Sequence, residues 1–177
     1  SSAASDVYKR QTKMLAAMLY PHLSEPESRI EERVRAMSVD ERLAVARTYT
    51  GDRGNRRHKP GRALERTSYR FDILADYGAF RDLQRHRMLT VEWQPLSPVH
   101  GYTRPESVDD AGERDEFDSA MQKSAELYDA LVERFPTSAC YAVSLAYRIR
   151  FSMQMNAREA MHVIELRTTP QGHPAYR

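Results

Sequence analysis

The sequence predicts an α+β domain. Strand-like segments are interrupted by helices, without the regular strand–helix–strand spacing of a parallel sheet. The clearest alternation lies at 147–155. Tyr147, Ile149, Phe151, Met153 and Met155 point one way, and Arg148, Arg150, Ser152 and Gln154 the other. A period of two with one apolar face is a half-buried strand. Helical periodicity with capping signals accounts for most of the remaining chain.

From the N-terminus, Thr12 to Tyr20 reads as a short apolar helix stopped by Pro21. Pro26 to Met37 is a charged helix. Ser38-Val39-Asp40-Glu41 is a capping box for a helix carrying Leu43, Val45 and Ala46 and ending near Tyr49. Gly51 to Arg62, GDRGNRRHKPGR, is a loop dense in positive charge. Thr67 to Leu74 favours a strand with Tyr69, Phe71 and Ile73 on one face. Asp76 can cap a helix carrying Phe80, Leu83 and the triplet Arg85-His86-Arg87. Proline and turn signals make 88–104 extended or looped. Glu106 to Phe135 is the longest predicted helix, with Phe117, Met121, Leu127 and Leu131 at roughly helical spacing. Asn156 is a suitable N-cap for a last helix, Ala157 to Thr168, closed before Pro170.

Length and composition bound the rest. A chain of 177 residues that is 41% hydrophobic can bury one core. The net charge of +2 conceals an asymmetry. Residues 51–104 hold eleven basic against six acidic side chains, and 105–135 hold three against ten. Such a basic block faces an anionic ligand or an acidic neighbour. Loop 51–62 lacks the aromatic interleaving of a nucleic-acid surface, so nucleic acid is not an expected partner. No apolar run approaches a membrane span. The single cysteine, Cys140, excludes an internal disulfide, and a cytoplasmic, reducing compartment is expected. Residues 1–11 read as a non-native segment, because Asp6 to Gln11 back-translates to a sequencing adapter. Residues 12–57 read as a helical lead-in and 58–177 as the main domain, truncated at its C-terminus and part of a longer protein.

Two clusters carry chemistry. Arg85, His86 and Arg87 crowd like charges, which gains nothing unless an anion faces them; two guanidinium forks suit phosphate oxygens. The ordinary alternative is a solvated helix end paired with the acidic segment 106–135. In the second cluster, Arg158, His162 and Glu165 share a helix face at i, i+4 and i+7, and Asn156 marks a helix start whose free N–H groups favour an anion. Here the alternative is a surface ladder among those three side chains. Cys140 has no neighbouring base and reads as structural. His58 and His173 lack metal-ligand spacing, so no metal site is expected, and no glycine-rich phosphate loop is present.

Taken together, Glu65, Phe71, Arg81 and Arg85-His86-Arg87, followed by Met155-Asn156-Ala157-Arg158, Met161-His162 and Leu166-Arg167, resemble the flavin-dependent thymidylate synthases over roughly 58–177. The resemblance implies an antiparallel sheet with flanking helices. It implies that Arg85, His86 and Arg87 cradle FAD, so that the expected anion is its pyrophosphate. Asn156, Ala157, Arg158 and His162 would also touch FAD. Arg167 would be the catalytic residue, facing the uracil ring of dUMP and stabilising its ionised form. Arg85 and Glu92 would bind dUMP with it. The implied reaction is reductive methylation of dUMP to dTMP, with methylenetetrahydrofolate as carbon donor and NADPH as reductant, in a homotetramer.

The run after the triplet departs from the family pattern. Glu92 stands one place early, Pro95 replaces an expected serine, and Ser97 replaces an expected phosphate-binding arginine. Asp82 and Cys140 also stand where the family has glutamine and arginine. The flavin half of the site therefore reads as intact and the nucleotide half as eroded. Arg53, Arg56, Arg57 and Arg104 are candidates to compensate. The alternative function is a catalytically diverged half of a tandem protein, kept as an FAD-binding or scaffold domain.

Overall fold

The computed structural model describes residues 2–172 and 175–176, with the backbone alone at 2–5. In chain order the elements are α1 (Ser2–Leu19), α2 (Glu27–Ala36), α3 (Val39–Thr50), β1 (Ser68–Asp76), α4 (Tyr77–Leu83), β2 (Thr90–Trp93), α5 (Glu106–Asp110), α6 (Arg114–Val132), β3 (Arg148–Asn156) and α7 (Ala157–Arg167). The strands form an antiparallel sheet in the order β1-β3-β2, so the fold is α+β as the sequence predicts. The described chain divides into two compact units, one of residues 2–70 and 154–172, the other of 71–153 and 175–176.

The first unit is helical. Ile30 and Val34, one turn apart on α2, are fully buried with Leu15, Ala16 and Met18 of α1 and with Ala63 and Leu64. Ala157 and Met161 of α7 and Tyr49 of α3 pack against this cluster. The capping box forms as read: Ser38 N–H donates to the Glu41 carboxylate at 2.7 Å, and Glu41 N–H donates to the Ser38 hydroxyl at 3.3 Å. Helix α1 begins at Ser2, ahead of the Thr12 start read from the apolar pattern. Residues 2–11 hold no proline or glycine to stop it. At the C-terminal end of β3, Ala157 N–H donates to Thr67 C=O at 2.9 Å, which fixes where α7 departs from the sheet.

In the second unit β3 is the central strand, and its alternation is the one predicted: Tyr147, Ile149, Phe151 and Met153 are buried. Tyr77 N–H donates to Tyr147 C=O at 2.8 Å on one side, and Gln94 N–H to Arg150 C=O at 3.0 Å on the other. Phe80 packs its ring 4.7 Å from Phe151 and 5.5 Å from Trp93. Met121, Val143 and Tyr147 form a second cluster with Phe117, Ala125 and Tyr128.

Two details differ from the sequence reading. The long helix predicted over 106–135 is broken into α5 and α6, because Gly112 adopts φ 76, a left-handed conformation that ends a helix. Tyr69 and Phe71 of β1 are 43% and 46% exposed, not core. β1 is an edge strand, and periodicity names a face without naming what covers it. Strand β2 lies within 88–104, the segment read as extended or looped.

Candidate functional site

The predicted site residues fall in two groups, one in each unit. In the first unit, Asn156 caps α7 as expected, its side chain accepting the Glu159 N–H at 2.9 Å. Arg158 follows in the first turn. Its Nε donates to Pro60 C=O at 2.9 Å and its Nη1 to Glu65 at 3.1 Å. Ala157 and Arg158 are half-buried and His162 is exposed. Arg167 is half-buried in the last turn, where a cation complements the helix dipole.

Arg158 and Glu165 of α7 both take partners from outside the helix, and the charge of His162 also acts on Glu165. Glu165 binds Arg53 through two hydrogen bonds, 2.5 Å from Nη1 and 2.9 Å from Nη2, across 112 residues of sequence. Glu65 accepts from Arg62 at 3.1 Å as well as from Arg158. These contacts dock loop 51–62 on α7. No local spacing signals either long-range pair, because the partners lie 112 and 93 residues apart. The Arg53 bonds hold the Glu165 carboxyl below the usual glutamate range. The Arg62 hydrogen bond, with the charge of Arg158 adding to it, does the same for Glu65.

In the second unit, Asp76 caps α4 by accepting the Ala79 N–H at 2.7 Å. The helix ends at Leu83, so the triplet stands just past its end and not within it. His86 is buried at 7% exposure, while Arg85 and Arg87 face outward. Arg85 lies 3.8 Å from Asp82, on its own segment. Asp82 also accepts the Tyr176 hydroxyl at 2.9 Å. Glu92 is exposed on β2. His173 lies outside the described residues.

Sequence reasoning missed a network in this unit. Arg104 donates to both oxygens of Asp118 at 2.8 Å and to Asp109 at 2.8 Å; Arg114 reaches Asp109 at 3.1 Å. Tyr102 donates to Asp118 at 2.8 Å, a bond that lowers the acidity of the phenol and holds the Asp118 carboxyl down. Arg104 is thereby committed to carboxylates, as Arg53 is. Cys140 is half-buried, its thiol 3.5 Å from Thr137 C=O.

Solved structures identify the fold. A flavin-dependent thymidylate synthase from Helicobacter pylori, complexed with FAD and dUMP, aligns over 92% of this chain and 82% of its own, with TM-score 0.64 and 16% identity. A thymidylate synthase X structure from the same organism, with FAD and dUMP, aligns over 64% of each chain, with TM-score 0.50 and 18% identity. The fold is that of the flavin-dependent thymidylate synthases. The family model described as thymidylate synthase complementing protein matches residues 8–177, and the chain belongs to that family. A UPF0159 protein of Chlamydia pneumoniae is 40% identical over 165 residues, covering 93% of this chain and 31% of its own. A UPF0159 protein of Thermoplasma acidophilum is 37% identical over 171 residues, 96% of this chain and 34% of its own. The chain thus spans about a third of the length of these curated relatives.

Proposed function

We propose that this chain is a thymidylate-synthase-like flavoprotein acting in the reductive methylation of dUMP to dTMP, with methylenetetrahydrofolate as carbon donor and NADPH as reductant. The observation that carries the reading is a family member that keeps both flavin-type clusters on suitable elements. Arg85 and Arg87 present exposed guanidiniums, whose forks suit the oxygens of a pyrophosphate. FAD, when bound, supplies the hydride that the protein itself cannot. Arg85, His86 and Arg87 cradle it at its phosphates. Asn156, Ala157, Arg158 and His162 bind it from α7, with Arg158 oriented by Glu65 and Pro60. Glu92 and Arg85 bind dUMP, and Arg167, cationic at every working pH, offsets negative charge on the uracil ring. Cys140 has no nucleophilic part. The working form is a cytoplasmic homotetramer; among the described residues no helix is long and apolar enough to cross a membrane.

A second reading has its own support. The curated relatives are about three times as long as the matched segment, and Pro95 and Ser97 stand in the nucleotide-binding run. On that reading the chain is an FAD-binding or scaffold half of a tandem protein. Titration of FAD, followed by flavin fluorescence, with Arg85→Ala as control and dUMP added last, separates the two. Arg85-dependent binding that then responds to dUMP supports the synthase; binding without a dUMP response supports the scaffold. Absence of FAD binding overturns both.

A further inference from the structure

We infer that loop 51–62 is a recognition element for a phosphate monoester, built on Arg56, Arg57 and Lys59. The inference rests on the proposed function and adds to it the ligand group this loop takes. Four observations carry it. The loop is ordered by its own hydrogen bonds: Arg53 Nε donates to His58 C=O at 2.5 Å, Gly54 N–H to His58 Nδ1 at 3.2 Å, and Arg57 N–H to the Asn55 side chain at 2.8 Å. It is anchored on α7 through Arg53–Glu165 and Arg158–Pro60. The cations that do this anchoring, Arg53, Arg62 and Arg158, are all matched by Glu65 or Glu165. Arg56, Arg57 and Lys59, by contrast, are exposed, and no described carboxylate lies within ion-pair distance of them, Asp52 of the same loop included.

Three cations held within four residues repel one another, and an anion with several oxygens relieves this. The guanidinium fork of each arginine fits a phosphate face, and a dianionic monoester gains most from a closely spaced set. Of the arginines in loop 51–62, Arg53 and Arg62 are bound to carboxylates, which leaves Arg56 and Arg57 for a ligand. Two ligands of the proposed reaction carry a phosphate monoester: the 5′-phosphate of dUMP and the 2′-phosphate of NADPH.

Calorimetric titrations on the chain test this, with FAD affinity measured in parallel. Probes are dUMP against deoxyuridine for the first source and 2′,5′-ADP against 5′-AMP for the second. The variant Arg56→Gln/Arg57→Gln is expected to bind one monoester about tenfold or more weakly, with FAD affinity and thermal melting unchanged. Loss confined to dUMP assigns the substrate phosphate; loss confined to 2′,5′-ADP assigns the reductant. Arg56→Lys/Arg57→Lys, which keeps charge and loses the fork, guards against misfolding and is expected to lie between wild type and Gln. Unchanged affinity for both monoesters overturns the inference. So does a single-stranded oligonucleotide that binds more tightly than either probe and is itself lost in the Gln variant. If the wild type fails to bind FAD yet holds a monoester through these arginines, the proposed function falls and the loop assignment stands.

Discussion

A methyl group placed on Gly61 would lie 2.2 Å from the Tyr49 hydroxyl oxygen and 2.4 Å from the ring carbon that carries it. That hydroxyl accepts the Ala63 N–H at 2.9 Å, so the ring cannot swing aside without losing the bond. Gly61→Ala is therefore expected to cost about 1–3 kcal/mol, the usual range for overpacking, seen as a lower urea midpoint with unchanged slope. Glu65 and Glu165 make a second prediction at this scale. Arginine hydrogen bonds depress both carboxyls in the folded state. A depressed folded value means that their contribution is complete above the ordinary glutamate range, about 4.3, and is lost as pH falls through the folded values below it. Melting temperature followed from pH 7 to 3 should hold level and then drop. In Glu65→Gln/Glu165→Gln the acid slope should flatten; an unchanged slope would assign the acid sensitivity to other carboxylates.

Helix α7 shows what an element adds to its residues. Its cap is Asn156, its departure from β3 is fixed by the Ala157 N–H on Thr67, and its first-turn arginine is held by Pro60 and Glu65. Asn156→Ala is expected to lose about 1 kcal/mol of stability as a cap is removed. Asn156→Asp keeps the cap and should melt like the wild type, yet it places a carboxylate where the proposed site takes phosphate, so FAD affinity should fall. Unchanged FAD affinity in Asn156→Asp would make Asn156 a cap alone. Strand β3 is the structural counterpart: Phe151 is fully buried at the centre of the sheet against Phe80. Phe151→Ala should cost about 3–5 kcal/mol on chemical denaturation, as expected for an aromatic side chain removed from a core.

For the molecule as a whole, the proposed cofactor is also a stability probe. A ligand that binds only the folded chain raises stability in proportion to the logarithm of its excess, about 2.7 kcal/mol at a hundred times Kd. FAD should raise the melting temperature progressively, and Arg85→Ala should abolish the rise while leaving the unliganded melt in place. Arg85 suits this use because its side chain is 70% exposed and lies 3.8 Å from Asp82. No rise in the wild type across a wide FAD range would remove the flavin from the proposal.

The sequence by itself determined what short-range physics encodes. Apolar alternation placed β3 and its buried face. The Ser38–Glu41 capping box and the Asp76 and Asn156 caps placed three helix starts, because each is made within four residues. The spacing of two motifs was sufficient to suggest the family. Tertiary structure alone decided where charges found their partners. Glu165 is one turn from His162 on its own helix yet binds Arg53, and Glu65 takes Arg158 from 93 residues away. It also decided that Tyr69 and Phe71 of β1 stay exposed, since periodicity names a face without naming what covers it. The physical reason is common to these cases. Hydrogen bonds within a turn are fixed by local dihedral angles, whereas an ion pair or a buried face depends on which distant segment arrives to complete it.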